Sequence, residues 1–259
     1  MAPELLSSAQ NPKIKRLLAL QKDSSLRRES GLFVVEGRRE LQQCMDAGFR
    51  VDSLFVCPEL CPAPDISSQV KVFQVNKALY EKIAYRGSTE GIMAEVFSQE
   101  KTLEGLSLPA NPLIVVLESV EKPGNLGAVL RSADAAGADA VLVCDPLTDL
   151  YNPNLIRASI GACFTVPTVA CTSAEAIRWL KSAGIQILTA QLQDSSLYYD
   201  CDMRRGTALV MGTESTGLSE EWRRAASSHI RIPMLGRLDS LNVSVSTAIL
   251  LFEAVRQRQ

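Results

Sequence analysis

The chain reads as an α/β protein in two parts, and three observations carry that expectation. Short apolar runs alternate with helix-forming stretches from residue 32 onward. One run, Leu113-Ile114-Val115-Val116-Leu117, is apolar throughout, as in a strand buried on both faces of a parallel sheet. Between residues 101 and 112 the alternation lapses into Leu103, Gly105, Pro109 and Pro112 amid polar residues, a linker composition. The expected organisation is a first domain over 1–100, a linker over 101–112 and a second domain over 113–259. A chain of 259 residues is comfortable for two cores.

In the first domain Asn11-Pro12 is a helix-start signal, followed by Ile14, Leu17, Leu18 and Gln21 at helical spacing until Gly31 breaks the pattern. Leu32 to Glu36 predicts a strand, and Gly37 opens a helix that runs to Gly48. Val51 to Val56 is rich in strand formers. The proline-rich piece from Pro58 to Pro64 reads as a loop. A strand over Val70 to Val75, a helix capped by Asn76 and a strand over Gly91 to Phe97 complete a small α/β unit.

In the second domain the strand at Leu113 feeds a helix that starts at Pro123-Gly124-Asn125 and ends at Gly137. Ala140 to Cys144 is the next strand, and Asn152-Pro153 starts a helix to about Ala162. Thr165 to Ala170, Ile185 to Thr189 and Ala208 to Met211 predict further strands, with Ser173 capping the helix between the first two. Ser219 should cap a helix with Glu220 and Glu221 in its first turn, where the dipole favours acids. Ile230-Arg231-Ile232 is a strand stopped by Pro233, which cannot donate to a ladder. From Val243 a last helix runs to Arg256 and Arg258.

Composition excludes several classes. The formal net charge of −2 argues against a uniformly basic nucleic-acid binder. Before residue 40, however, eight cations (Lys13, Lys15, Arg16, Lys22, Arg27, Arg28, Arg38, Arg39) face four acids, which is either a local basic patch or a solvated helix face. The first ten residues lack a secretory signal pattern, and no apolar run reaches membrane-span length, so a cytoplasmic protein is expected. Seven cysteines without paired spacing, and His229 alone among histidines, predict reduced buried thiols and no metal site.

Three stretches repeat one layout, in which a strand runs into a polar loop and then a helix. They are Lys122 to Asp134, Val210 to Ser219, and Ile230 to Ser246. In α/β proteins such loops are where ligands bind, although plain helix capping by Ser240 or Asn242 explains the last loop equally simply. Pro123-Gly124-Asn125-Leu126-Gly127 is neither a phosphate-binding P-loop nor a dinucleotide fingerprint, which removes the nucleotide-dependent oxidoreductases. Arg131 follows Asn125 by six positions, roughly 240° round an ideal helix. Read alone, it is a surface arginine paired with Asp134.

Together and in this order, the three stretches resemble the signature motifs of the SpoU (TrmH-like) family of RNA 2′-O-ribose methyltransferases, of the SPOUT class. The resemblance spans residues 113–259. Phe33-Val34-Val35-Glu36-Gly37 and Gly91-Ile92-Met93-Ala94 resemble the ribosomal-protein-like domain that precedes many SpoU catalytic domains and recognises RNA. The resemblance implies a trefoil-knotted, mostly parallel second domain, S-adenosylmethionine as cofactor, and a homodimer whose site is completed across the interface. It implies catalytic-centre roles for Asn125, Arg131, Glu214, Ser240 and Asn242, and cofactor contacts from Gly212, Ile232, Met234, Leu241 and Asn242. Ser215 departs from the pattern, standing where glycine is common.

The implied reaction is attack by a ribose 2′-oxygen on the sulfonium methyl. A guanidinium keeps its proton at ordinary pH, so Arg131 is expected to orient the hydroxyl and an adjacent phosphate rather than serve as base. Ribosomal RNA is the expected substrate because of the extra first domain, with tRNA as the alternative. A non-catalytic RNA-binding assembly factor of the same fold is the reading from another class. The apolar last helix (Ile249, Leu250, Phe252, Val255) suits either a dimer interface or the core.

Overall fold

A computed structural model describes residues 3–62, 70–85, 90–213 and 216–259. The chain divides into two compact units, one of residues 1–100 with 151–165, the other of residues 101–150 with 166–259. Two features depart from the expected division. The 101–112 segment belongs to the second unit, and Tyr151–Thr165 is contributed to the first.

Among the described residues the first unit is built on a five-stranded mixed sheet. Its strands are β1 (Glu4–Leu6), β2 (Leu32–Glu36), β3 (Val51–Val56), β4 (Lys71–Val75) and β5 (Ile92–Phe97), in the order β1-β4-β3-β5-β2. β1 was not legible in the sequence; it pairs parallel with β4 as an edge. Helix α1 (Pro12–Lys22) is capped by Asn11, whose side chain accepts from Lys13 N–H, and stops at Asp23. The helical spacing read as one helix to Gly31 is in fact two. Asp23 caps α2 (Ser24–Ser30) by accepting from Ser25 and Leu26 N–H, and Gly31 ends α2 in the left-handed conformation. α3 (Arg38–Asp46) and α4 (Lys77–Ile83) follow, the latter capped by Asn76.

Tyr151–Thr165 joins this unit through aromatic packing. Tyr151 stacks on Phe33 at 4.3 Å between centroids, and Phe164 packs on Phe33 and edge-on to Phe49. Such pairs add about 0.5–1.5 kcal/mol each beyond their buried area. The Tyr151 hydroxyl also donates to Gln99 O at 2.8 Å. The helix expected from Asn152 to Ala162 is divided into α6 (Pro153–Ser159) and α7 (Ala162–Thr165), because Ile160 and Gly161 both take positive φ.

Among the described residues the second unit carries a seven-stranded sheet that is parallel throughout. Its strands are β6 (Leu113–Glu118), β7 (Ala140–Cys144), β8 (Thr168–Cys171), β9 (Gln186–Ala190), β10 (Ser196–Leu197), β11 (Thr207–Met211) and β12 (Ser228–Arg231). The order is β10-β12-β9-β11-β6-β7-β8. β6, β7 and β8 step outward in one direction, and β9, β11 and β12 lie on the other side of β6. The strand order therefore reverses between β6 and β11, with all carboxyl ends on one rim.

Helices α5 (Pro123–Ala136), α8 (Ser173–Ser182), α9 (Glu220–Ala225) and α10 (Val243–Arg258) cover this sheet. Two expected caps are replaced. Thr172, not Ser173, caps α8 through a capping box with Glu175, which frees Ser173 to donate to Asp145. Ser219 occupies the cap position of α9 without a side-chain bond, and its N–H instead donates to the buried Glu118 carboxylate at 2.8 Å. α9 is anchored by Trp222, fully buried with its indole N–H donating to Ser173 Oγ; truncating such a residue costs about 3–5 kcal/mol. β12 ends at Arg231, two residues before Pro233.

Candidate active site

The carboxyl rim gathers the three polar crossings. A cavity of about 400 Å³ lies there, in the size range of small-molecule sites. Its walls come from the residues after β9, β11 and β12 and from the start of α10. Apolar surface is supplied by Met211, Ile232, Met234, Leu241, Val243 and Leu250, and polar surface by Gln191, Thr213, Arg231, Asp239, Ser240 and Ser246. A second hollow of about 160 Å³ shares Gly212, Thr213 and Val243 with it and adds Ser119, Lys122 and Asn125 from the β6 crossing.

Backbone packing explains why glycine stands at 212. A Cβ there would fall inside the Gly217 carbonyl group and 2.6 Å from Leu218 N, so two strands of one loop pass with no room for a side chain. The loop is closed by paired bonds between Thr213 and Gly217, N–H to O at 3.2 Å and 3.1 Å, and Gly217 takes φ +67°. Glu118, at the end of β6, holds the far side of the loop through Ser219. Gly124 is different, since a Cβ there would meet nothing within 4 Å, and the α5 entrance is open to an approaching group.

Asn242 joins two of the crossings. Its Oδ1 accepts from Ser244 N–H at 3.0 Å and so caps α10, while its amide donates to Asn125 Oδ1 at 3.2 Å. The residues are 117 apart in sequence, and the bond sets the start of α10 against the start of α5. One amide thus both terminates a helix and ties two loops.

Of the residues singled out by sequence, Gly212, Ile232, Met234, Ser240 and Leu241 line the larger cavity, and Asn125 and Asn242 meet beside it. Glu214 and its neighbour Ser215 lie outside the described residues. Arg131 is not brought in. It stands on the exposed face of α5 and lines neither hollow. Sequence reasoning missed Gln191, Arg231 and Ser246. Gln191 was detectable in principle, because it follows a buried strand just as Gly212 does. Among the described residues no group of three or more His, Cys, Asp or Glu is placed to hold a metal. No helix among them is long and apolar enough to cross a membrane.

A parallel sheet with a half-apolar cavity at the carboxyl ends of its strands defines a ligand-binding α/β protein of the doubly wound kind. Comparison with known proteins narrows this. Residues 112–252 match the SpoU rRNA Methylase family model, and residues 11–94 match the MRM3-like substrate binding domain. The 23S rRNA (guanosine-2′-O-)-methyltransferase RlmB of Vibrio vulnificus is 36% identical over 195 residues, covering 73% of this chain and 79% of that protein. The 23S rRNA (uridine(2479)-2′-O)-methyltransferase of Streptomyces viridochromogenes is 30% identical, covering 97% of this chain and 92% of its own length. Among solved structures, an AdoMet-bound rRNA methyltransferase from Sinorhizobium meliloti superposes with a TM-score of 0.89 at 30% identity, covering 99% of this chain and 98% of that one. The chain belongs to the SpoU rRNA methylase family.

Proposed function

We propose that this protein transfers a methyl group from S-adenosylmethionine to a ribose 2′-hydroxyl of 23S-type ribosomal RNA. The observation that carries the reading is the cavity at the carboxyl ends of β9, β11 and β12 in a chain that aligns, over nearly its whole length, with relatives named for that reaction. Those names favour rRNA over tRNA.

The cavity suits the methyl donor on its own terms. Ile232, Leu241 and Met211 offer apolar faces for a flat base, and Gly212 lets backbone come close where a side chain would block it. Gln191, Ser240 and Ser246 supply hydrogen-bonding side chains for the polar remainder. The bound donor would supply a methyl group made electrophilic by its sulfonium.

The chain's own residues take the remaining roles. Ile232, Met234, Leu241 and the Gly212 backbone hold the donor. Asn125 and Asn242 fix the mouth of the site, with Ser240 in the wall and Glu214 supporting the loop. Arg131 orients the ribose hydroxyl and its phosphate, and we place that contact where two copies of the chain meet. Homodimerisation is supported by exposed apolar groups on and near α10, with Val245 and Phe252 one heptad apart and about half exposed, and Leu235 and Leu238 more so. Leu250 on the same helix is core. A knotted path through the 232–243 crossing fits the Asn242–Asn125 tie, and the first unit, with its cluster of cations before residue 40, is assigned to RNA recognition. The protein is expected to act in the cytoplasm, where ribosomal RNA is processed.

The test is methyl transfer from labelled S-adenosylmethionine to ribosomal RNA, with ribose methylation mapped by nucleotide. Wild-type protein should modify one ribose in 23S-type RNA, and Arg131→Lys should lose at least about 1.4 kcal/mol of transition-state stabilisation, a tenfold fall in rate. Methyl transfer to tRNA only would overturn the substrate. Donor binding without transfer to any RNA would favour the scaffold reading.

A further inference from the structure

Cys144 and Cys171 end β7 and β8 as register partners, and their Sγ atoms stand 3.9 Å apart. Neither lines the cavity described above. Both pack under α8, in the core cluster formed with Leu103, Val169, Ala176 and Leu180. They differ in access. Cys144 is buried, while Cys171 is half-buried and opens into a groove of about 480 Å³ walled by Lys101, Glu175, Arg178 and Trp179. Neighbouring strands run about 4.7–4.9 Å apart, inside the Cα separation of about 4.4–6.8 Å that a disulfide spans.

Two further features favour reaction between these thiols. The strand ends are already pinned: Asp145 N–H donates to Cys171 O at 2.9 Å, and the Asp145 carboxylate accepts from Ser173 N–H and Oγ–H at 3.2 Å and 2.6 Å. The thiols are also chemically unequal. The hydrogen bond to Cys171, then burial, holds the Cys144 proton far above the usual thiol range. The same bond eases ionisation of Cys171, against burial and the nearby Glu175 and Asp145 carboxylates. A half-buried sulfur that ionises more readily, next to a fully buried protonated one, is the arrangement of an attacking and a resolving cysteine.

We propose that this pair is a modification site for hydrogen peroxide, oxidised first at Cys171 and then closed to a Cys144–Cys171 disulfide. The Cys171 thiolate attacks the peroxide oxygen; an S–O bond forms, the O–O bond breaks, and the departing hydroxide takes a proton to become water. The Cys144 sulfur then attacks the sulfenic sulfur. The S–S bond forms, the S–O bond breaks, and a second water leaves with the Cys144 proton. Each sulfur gives up one electron and the peroxide is reduced to two waters. A dithiol reductant reverses the bond. The bridge would staple the two ends of the 144–171 excursion, which contains the Tyr151–Thr165 segment contributed to the first unit.

Full-length protein treated with hydrogen peroxide should lose two hydrogens in intact mass and yield a peptide pair joined through 144 and 171, both reversed by dithiothreitol. Cys144→Ser should leave a sulfenic acid at Cys171 that dimedone traps, and Cys171→Ser should abolish both products. Should either variant fold poorly, peptide mapping of the unaltered chain decides. Oxidation at the partly exposed Cys163 or Cys201 while 144 and 171 stay thiols overturns the proposal, as does a bridge that forms only in denaturant.

Discussion

The two units differ in where polar groups stand relative to the sheet. In the first, Glu95 is fully buried in the middle of a mixed sheet, held by the Arg16 guanidinium and by the Ser53 hydroxyl at 2.8 Å. Arg16 also reaches Asp52 at 3.3 Å. The buried Glu95 carboxylate is thus satisfied from within the unit. In the second unit the buried polar side chains of the sheet, Gln186 with Thr207 and Thr189 with His229, also pair with one another, while the loops that carry the cavity's polar groups gather at one rim, since every parallel strand must end on the same side. A polar residue in the sheet is structural in the first unit; a polar residue past the sheet is available in the second.

Gly212→Ala strikes the rim hardest. The added Cβ cannot coexist with the Gly217 carbonyl, so the 212–218 loop must move and the cavity wall with it. The affinity for S-adenosylmethionine, measured by calorimetric titration, should fall about a hundredfold, equivalent to about 2.7 kcal/mol. A change of less than threefold would mean that this close approach does not shape the ligand site.

Arg16→Met makes the complementary cut in the first unit. It strands the Glu95 carboxylate with only Ser53 as partner. Removing one member of a buried pair costs about 3–5 kcal/mol, but Arg16 is half-exposed, so a discounted loss of about 2–3 kcal/mol is expected in urea unfolding. Donor affinity should stay within error. Loss of affinity in the folded variant would show that the contrast between the units is false.

Local signals were legible in the sequence and distant ones were not. Asn11, Asn76, Asn152 and Asn242 cap helices as their positions suggest, because a cap is settled within three residues. The all-apolar Leu113–Leu117 run is a central parallel strand. By contrast, the packing of Tyr151 and Phe164 with the first unit depends on Phe33 and Phe49, more than a hundred residues away. Ser173 looked like a cap because its partner Asp145 lies in another loop. The TM-score of 0.89 with the Sinorhizobium meliloti structure speaks for the fold of the whole chain, whereas the side-chain ties at the rim, such as Asn242 to Asn125, had no local signature.

The smallest expected effect sharpens the comparison most, because it holds the local chemistry constant. Asn76 and Asn242 both cap helices through Oδ1, Asn76 accepting from Leu79 N–H at 2.8 Å and Asn242 from Ser244 N–H at 3.0 Å and Ser244 Oγ–H at 2.6 Å. Asn76→Ala and Asn242→Ala should therefore lose similar stability, about 1 kcal/mol each by thermal or urea unfolding. Their activities should part company. Asn242 also donates to Asn125 across the mouth of the cavity, so its loss should lower kcat/KM for RNA methylation about tenfold, while Asn76→Ala leaves it unchanged. Equal activity in the two variants would reduce Asn242 to a helix cap and remove the Asn125 tie from the catalytic account.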